Sequence, residues 1–248
     1  MVWQGMESLF QRIHRACREM WISILIISAG FLVLSIVVII NAMESTAREV
    51  EDERWTSLPV RAVSLKDHHI GNLDAPVRLI VYVDLECPYC KIFHQEVVPR
   101  LQKKFGDDLA IIYRHYPLTH IHRTAQKAAE AAECTALVRG EEAFWRFVEV
   151  FFSATDEHRV PSTVEYPSLV RLSGVDPTAF NRCITDERSL HLVQEDMFDG
   201  GLAGITVTPS EIVEGGNQRI LMTGVRRPEI EAAVQLLLEK REIKPTAD

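Results

Sequence analysis

Val77-Arg78-Leu79-Ile80-Val81-Tyr82-Val83, then Asp84-Leu85-Glu86, then Cys87-Pro88-Tyr89-Cys90 is the stretch that decides the fold. The first seven residues are apolar and β-branched, and read as a strand. Lys91 to Phe105, after the cysteines, reads as a helix. Two thiols three residues apart at a helix start share one face, close enough to form a disulfide. The helix N-terminus places partial positive charge beside the first sulfur and lowers its pKa. A thiolate that can attack, with a second thiol beside it, is the minimum equipment for thiol–disulfide exchange. A static disulfide and half a zinc site are the competing uses of the motif. No second C-x-x-C and no suitably spaced histidine pair completes a metal site, so no metal is expected.

Working outward, Leu109–Tyr116 is rich in β-branched and aromatic residues and reads as a second strand. The helix between the strands makes a βαβ unit, which implies parallel pairing. A mostly helical region follows. Thr124–Arg139 is rich in Ala and Glu, and Glu141–Phe152 places Phe144, Phe147, Val148 and Phe151 on one helical face. Pro167–Leu172, Pro177–Ile184 and Leu190–Asp199 read as further short helices. Strand character returns at Glu211–Val213 and Arg219–Met222, with Gly215-Gly216-Asn217 as the hairpin turn. Pro228–Lys240 closes as an amphipathic helix with proline in its first turn. The order is β-α-β, a helical block, then β-β-α. Without the block, this is the order of a thioredoxin fold.

The 248-residue length fits one membrane segment plus one domain. A net charge of −8 and the lack of a basic stripe argue against a nucleic-acid partner. Ile22 to Ile40 contains no charged residue. At about 1.5 Å per residue it spans roughly 28 Å, near the thickness of a bilayer core. A retained signal anchor is expected over a buried soluble helix or a cleaved signal peptide, whose apolar region is shorter. Arg12, Arg15 and Arg18 precede the run, and Arg48 and Arg54 follow it, so the basic residues favour a cytoplasmic N-terminus. The expected layout is 1–21 cytoplasmic, 22–40 transmembrane, 41–59 an acidic linker, and 60–248 the folded domain with a helical insertion at about 120–203. Cys17, near the membrane, reads as a plain reduced thiol, with palmitoylation as the alternative.

Several strings now carry a resemblance. They are Asp84 to Cys90; Arg114-His115-Tyr116-Pro117-Leu118; Ala131-Ala132-Glu133-Cys134; Phe144-Trp145; Phe180-Asn181-Arg182-Cys183; and Ala203-Gly204-Ile205-Thr206-Val207-Thr208-Pro209. In order and spacing the chain resembles the DsbA-like thiol–disulfide oxidoreductases, in their membrane-anchored bacterial branch, over about Asp67 to Glu239. The resemblance implies an α/β fold, thioredoxin-like with a helical insertion. It implies a single pass through the bacterial inner membrane, with the catalytic domain on the periplasmic side. It gives Cys87 as nucleophile, Cys90 as resolving thiol, and Pro88 and Tyr89 as tuning residues. It also implies a cis bond before Pro209, with Thr208 pairing to a bound peptide, and a second disulfide between Cys134 and Cys183.

By the same resemblance, the protein is an oxidase that introduces disulfides into exported polypeptides. It works as a monomer, with no bound cofactor, and is reoxidised by a quinone-linked membrane partner of the DsbB or vitamin-K-epoxide-reductase type. A membrane-anchored reductase or isomerase is the alternative within the class. A copper-binding or chaperone module is the alternative outside it; His68, His69, His115, His120 and His122 are the residues a copper site would draw on. Two departures stand out. The family usually carries a buried acid six residues before the first cysteine, where this chain has Val81, with Asp84 or Glu86 as substitutes. After Pro209 the family continues into an apolar strand, where this chain reads Ser210-Glu211-Ile212.

Overall fold

The structure, a computed structural model, describes residues 30–42, 58–156 and 159–243. The chain divides into two units, Met1–Glu53 and Arg54–Asp248. In the first, the described residues form one helix, α1, at residues 30–42. The expected single-pass placement in the inner membrane, with a periplasmic catalytic domain, is corrected here. No helix among the described residues is long and apolar enough to cross a membrane. At 1.5 Å per residue the described part of α1 covers about 20 Å, against about 30 Å of hydrocarbon. Residues 22–29 of the expected span, Cys17, and residues 43–57 of the expected linker lie outside the described residues.

The second unit is built on a five-stranded sheet in the order β1-β3-β2-β4-β5. The strands are β1 (His68–Ile70), β2 (Val77–Val83), β3 (Leu109–His115), β4 (Ser210–Gly215) and β5 (Gln218–Thr223). β2 and β3 are parallel, joined by the active-site helix, and all other pairs are antiparallel. The β4–β5 hairpin turns through Gly216 and Asn217, with Gly216 at a φ of +58°, as a two-residue loop requires. One rung of the sheet recurs below. His68, Tyr113, Val81, Glu211 and Met222 are successive cross-strand neighbours.

Alternation along β2 splits the core in two. Val77, Leu79, Val81 and Val83 face one cluster, and Ile80 and Tyr82 face the other. The first, larger cluster holds the active-site helix, the Phe144–Phe152 face of the helical block, and Ile230 and Val234 of the last helix. The active-site helix has three parts: α2 (Pro88–Ile92), a π-helical turn at Phe93–Val97, and α3 (Val98–Phe105). Pro99 explains the wide turn, because it has no N–H to offer the preceding turn and its ring crowds the carbonyl behind it.

The helical block comprises α4 (Ala125–Arg139), α5 (Glu141–Ala154), α6 (Tyr166–Leu172), α7 (Pro177–Thr185) and α8 (Arg188–Leu202). The Asp176 side chain caps α7 by accepting from the Ala179 N–H at 2.9 Å, with Pro177 in the first turn. α8 leads to the second face of the sheet. A Cβ at Gly200 would stand 2.8 Å from the Tyr116 ring and 2.9 Å from Tyr82, so only glycine lets α8 come this close. α9 (Arg227–Ile243) is the last element among the described residues.

Candidate active site

Cys87 is the residue that starts α2. Its backbone is extended and Pro88 occupies the first turn. Both Cys87 and Cys90 are free thiols, 5% and 1% exposed. The Cys87 Sγ donates to the Thr208 carbonyl at 3.3 Å, and the Thr208–Pro209 bond is cis. Thus the loop before β4 lies against the Cys87 sulfur.

The two thiols sit in opposed environments. The Cys90 thiol, hydrogen-bonding to the Cys87 sulfur, is the largest influence and lowers the Cys87 pKa. Burial opposes it, and the Cys90 and Tyr89 N–H groups and the Thr208 hydroxyl assist. The result is a pKa of about 6. That hydroxyl meets no partner at full hydrogen-bond geometry, so its share is small. Burial, then the hydrogen bond to Cys87 and its charge, push the Cys90 pKa well up. The Asp84 N–H, 3.4 Å from the Cys90 Sγ, is a weak counterweight.

Around Cys87 lies an open, mostly apolar groove of about 670 Å³. Pro88 and Tyr89 form one side, Leu118, Ile121 and His122 another, and Val207, Thr208 and Val225 the third. Tyr89, Ile121 and Val207 are exposed, at 61%, 60% and 48%. Beneath the groove, the Asp84 carboxylate accepts from the Glu86 N–H, the Leu118 N–H and the His122 ring at 2.8 Å each. Glu86 is held by the Thr124 hydroxyl. Neither acid is therefore spare to replace a carboxyl at Val81.

Outside the groove, Cys134 and Cys183 are disulfide-bonded between α4 and α7. The histidines are dispersed. His68 lies between Glu141 at 2.7 Å and Glu133 at 3.2 Å. His115 is buried, and His122 serves Asp84. Among the described residues no group of three or more His, Cys, Asp or Glu side chains is arranged to hold a metal ion. Sequence reasoning missed three participants: His122 on the groove wall, Tyr113 on the rung beneath the dithiol, and Glu211. The departure after Pro209 was the visible signal for the last.

Comparison with known proteins agrees with this geometry. A family model described as thioredoxin matches residues 64–224, more than half of the chain. Among solved structures, α-DsbA1 of Wolbachia pipientis superposes with a TM-score of 0.61 at 22% identity, over 76% of this chain and 98% of its own. Oxidised BdbD of Bacillus subtilis gives 0.61 at 22% identity, over 73% and 97%. DsbA2 of Pseudomonas aeruginosa gives 0.58 at 22% identity, over 74% and 100%. Curated relatives include Na⁺/H⁺ antiporter NhaA 1 of Mycolicibacterium gilvum, 31% identical over 159 residues, which are 62% of this chain and 24% of that protein. NhaA 3 of Salinispora tropica is 32% identical over 152 residues, 60% of this chain and 22% of that protein. The chain thus spans about a quarter of the length of the relatives it matches.

Fold and dithiol together define the class: a thioredoxin fold with a helical block, as in the DsbA structures it superposes on, carrying a free dithiol at the start of α2. The chain belongs to the thioredoxin family whose model it matches.

Proposed function

We propose that the protein is an oxidase, forming disulfides in polypeptides with free cysteines through Cys87 and Cys90. One observation carries the direction: the Cys87 pKa falls to about 6 while that of Cys90 rises. A stable Cys87 thiolate favours the reduced pair, so the oxidised pair readily accepts electrons.

The steps follow from the geometry. A substrate thiolate attacks the Cys87 sulfur of the disulfide, and Cys90 leaves. A second substrate thiolate attacks the substrate's own sulfur in the mixed disulfide, and Cys87 leaves as thiolate. Two electrons have then passed from substrate to the pair. The apolar groove, with Thr208 on its wall, suits an unfolded segment, which in this reading pairs with Thr208 as an added strand. The Cys134–Cys183 bond fits an environment where disulfides persist. Turnover calls for an external oxidant, in this reading a quinone-linked enzyme of the DsbB or vitamin-K-epoxide-reductase type.

The test is the reduction potential of the full chain equilibrated with glutathione buffers. A value near about −120 mV is expected. A value near about −270 mV would make the protein a reductase and remove the oxidase reading.

A further inference from the structure

Glu211 is a buried carboxyl that the fold does not explain. It has no exposed surface, and neither side-chain oxygen has a hydrogen-bond partner. Glu214, in the same strand and also buried, is matched by Arg78 at 2.7 Å and Arg219 at 2.6 Å. Glu211 has no such match, and an unpartnered buried polar group is costly.

Register places the side chain. Val81 stands directly across from Glu211, and opposed residues project to the same face. Val81 packs in the cluster that holds Cys87, Cys90 and Phe93, and so does Val213, two residues beyond Glu211. Glu211 therefore enters the core on the face that carries the dithiol. Strands lie about 4.8 Å apart, so its carboxyl starts one strand from the Val81 position.

The chemistry supplies the need. The Cys90 sulfur must gain a proton when the disulfide opens and lose it when the disulfide closes. It is shut off from solvent. The Asp84 carboxylate is taken up by three donors, and Glu86 by Thr124. Tyr113, on the same rung, has its pKa raised by burial and by the charges of Cys90 and Glu149, which makes it a poor acid.

We infer that Glu211 is the proton reservoir of the dithiol, protonating the Cys90 sulfur as the Cys87–Cys90 bond opens and taking the proton back as it re-forms. This rests on the exchange reading above. On opening, a substrate thiolate bonds to Cys87, the S–S pair of electrons leaves on Cys90, and the Glu211 proton moves to that sulfur, leaving a carboxylate. On closing, the Cys90 thiol gives its proton to the Glu211 carboxylate and displaces the external thiolate from Cys87. Burial raises the Glu211 pKa to about 9, against the pull of Arg226 and its own amide N–H, so the carboxyl is loaded at neutral pH. Arg226, from the turn after β5, is the charged group that acts on it, while Tyr113 of β3 and the dithiol of α2 line the core cluster on the same face of the sheet. Met222 of β5 and Ile230 and Val234 of α9 are apolar.

The test is stopped-flow reduction of the Cys87–Cys90 disulfide by dithiothreitol across the pH range, in the full native chain, Glu211→Gln and Glu211→Leu. Both variants are expected to slow the step about tenfold or more at neutral pH. Both should lose the inflection near pH 9. Val81→Glu in the Glu211→Gln background, which returns a carboxyl to the same rung, should restore the rate. Glu211→Leu removes a costly group and should melt no lower than the native chain, while Glu211→Gln keeps a neutral polar group of the same size in its place. Unchanged rates and pH profile, or a uniform slowing at every pH in a variant that melts lower, would overturn the inference. Absence of exchange in the native chain would instead remove the function proposed above.

Discussion

At the scale of single residues, the site is an asymmetric pair. The largest influence on Cys87 is the Cys90 thiol, not its place at the helix start. Iodoacetamide reactivity of the reduced chain should therefore rise through a midpoint near pH 6, and Cys90→Ala should move that midpoint upward. A midpoint that stays put would assign the effect to backbone N–H groups alone. The sign follows from linkage. A thiol pKa depressed by folding stabilises the reduced protein above its unfolded value, and the gain is lost as pH falls through about 6. At pH 7, about one unit above the folded pKa and still below the unfolded one, the gain is about 1.4 kcal/mol in favour of the reduced pair. The dithiol was legible because its chemistry is local: two cysteines, a proline, and a strand-to-helix transition. Glu211 was visible as a departure but not as a buried acid. Its burial comes from Val81 and Met222 on neighbouring strands, which sequence spacing does not reveal. His68-His69 gave as little sign of its surroundings: the pair read as residues a copper site would draw on, while Glu133 and Glu141 hold the first ring between them.

At the scale of elements, periodicity carried the long helices. The Phe144, Phe147, Val148 and Phe151 face of α5 lies in the main core cluster, as its spacing requires. Two elements were beyond that signal. β1 is three residues long, too short for an alternation, and exists through its pairing with β3. The π-helical turn before Pro99 leaves no periodic trace, although the proline marks where the helix must give. Within the block, α4 and α7 are joined by the Cys134–Cys183 bond across 49 residues, with Cα atoms 5.7 Å apart. That bond restricts the unfolded chain more than it shapes the folded one. Cys134→Ala with Cys183→Ala should cost about 2–4 kcal/mol in urea unfolding. The same pair of changes should leave the Cys87 midpoint near pH 6. A shifted midpoint would show that the block tunes the dithiol directly.

For the whole molecule, the thioredoxin order of strands and helices was legible once the block was set aside, but the devices that join its parts were not. The apolar run at 22–40 read as a span, yet the described part is a helix at 30–42. Arg114 read as part of a family string, yet it joins three regions of the second unit from near the end of β3. Its side chain is fully buried and donates to Asp67 at 2.9 Å, to Asp199 of α8 at 2.6 Å, and to the Arg61 carbonyl at 3.2 Å. Arg61 in turn reaches Asp196 at 2.6 Å, and the Tyr82 hydroxyl of β2 donates to Asp199 at 2.5 Å. One cation thus holds the entering chain and the last helix of the block to the second face of the sheet. Removing it leaves the buried Asp199 carboxylate without a counter-charge and Asp67 with Arg61 alone, at 2.8 Å, which costs more than the pair itself contributes. Arg114→Met should therefore lower stability by about 3–5 kcal/mol at neutral pH. Burial alone would raise the Asp67 pKa, but Arg114 and its neighbours hold it below the usual value. In the native chain that contribution is lost as pH falls through the lowered pKa, and the variant never has it, so the gap between the two should narrow on acidification. Urea midpoints across the acid range read both quantities. A loss below about 1 kcal/mol, or a gap that does not change with pH, would mean that water reaches Asp67 and Asp199 once the guanidinium is gone.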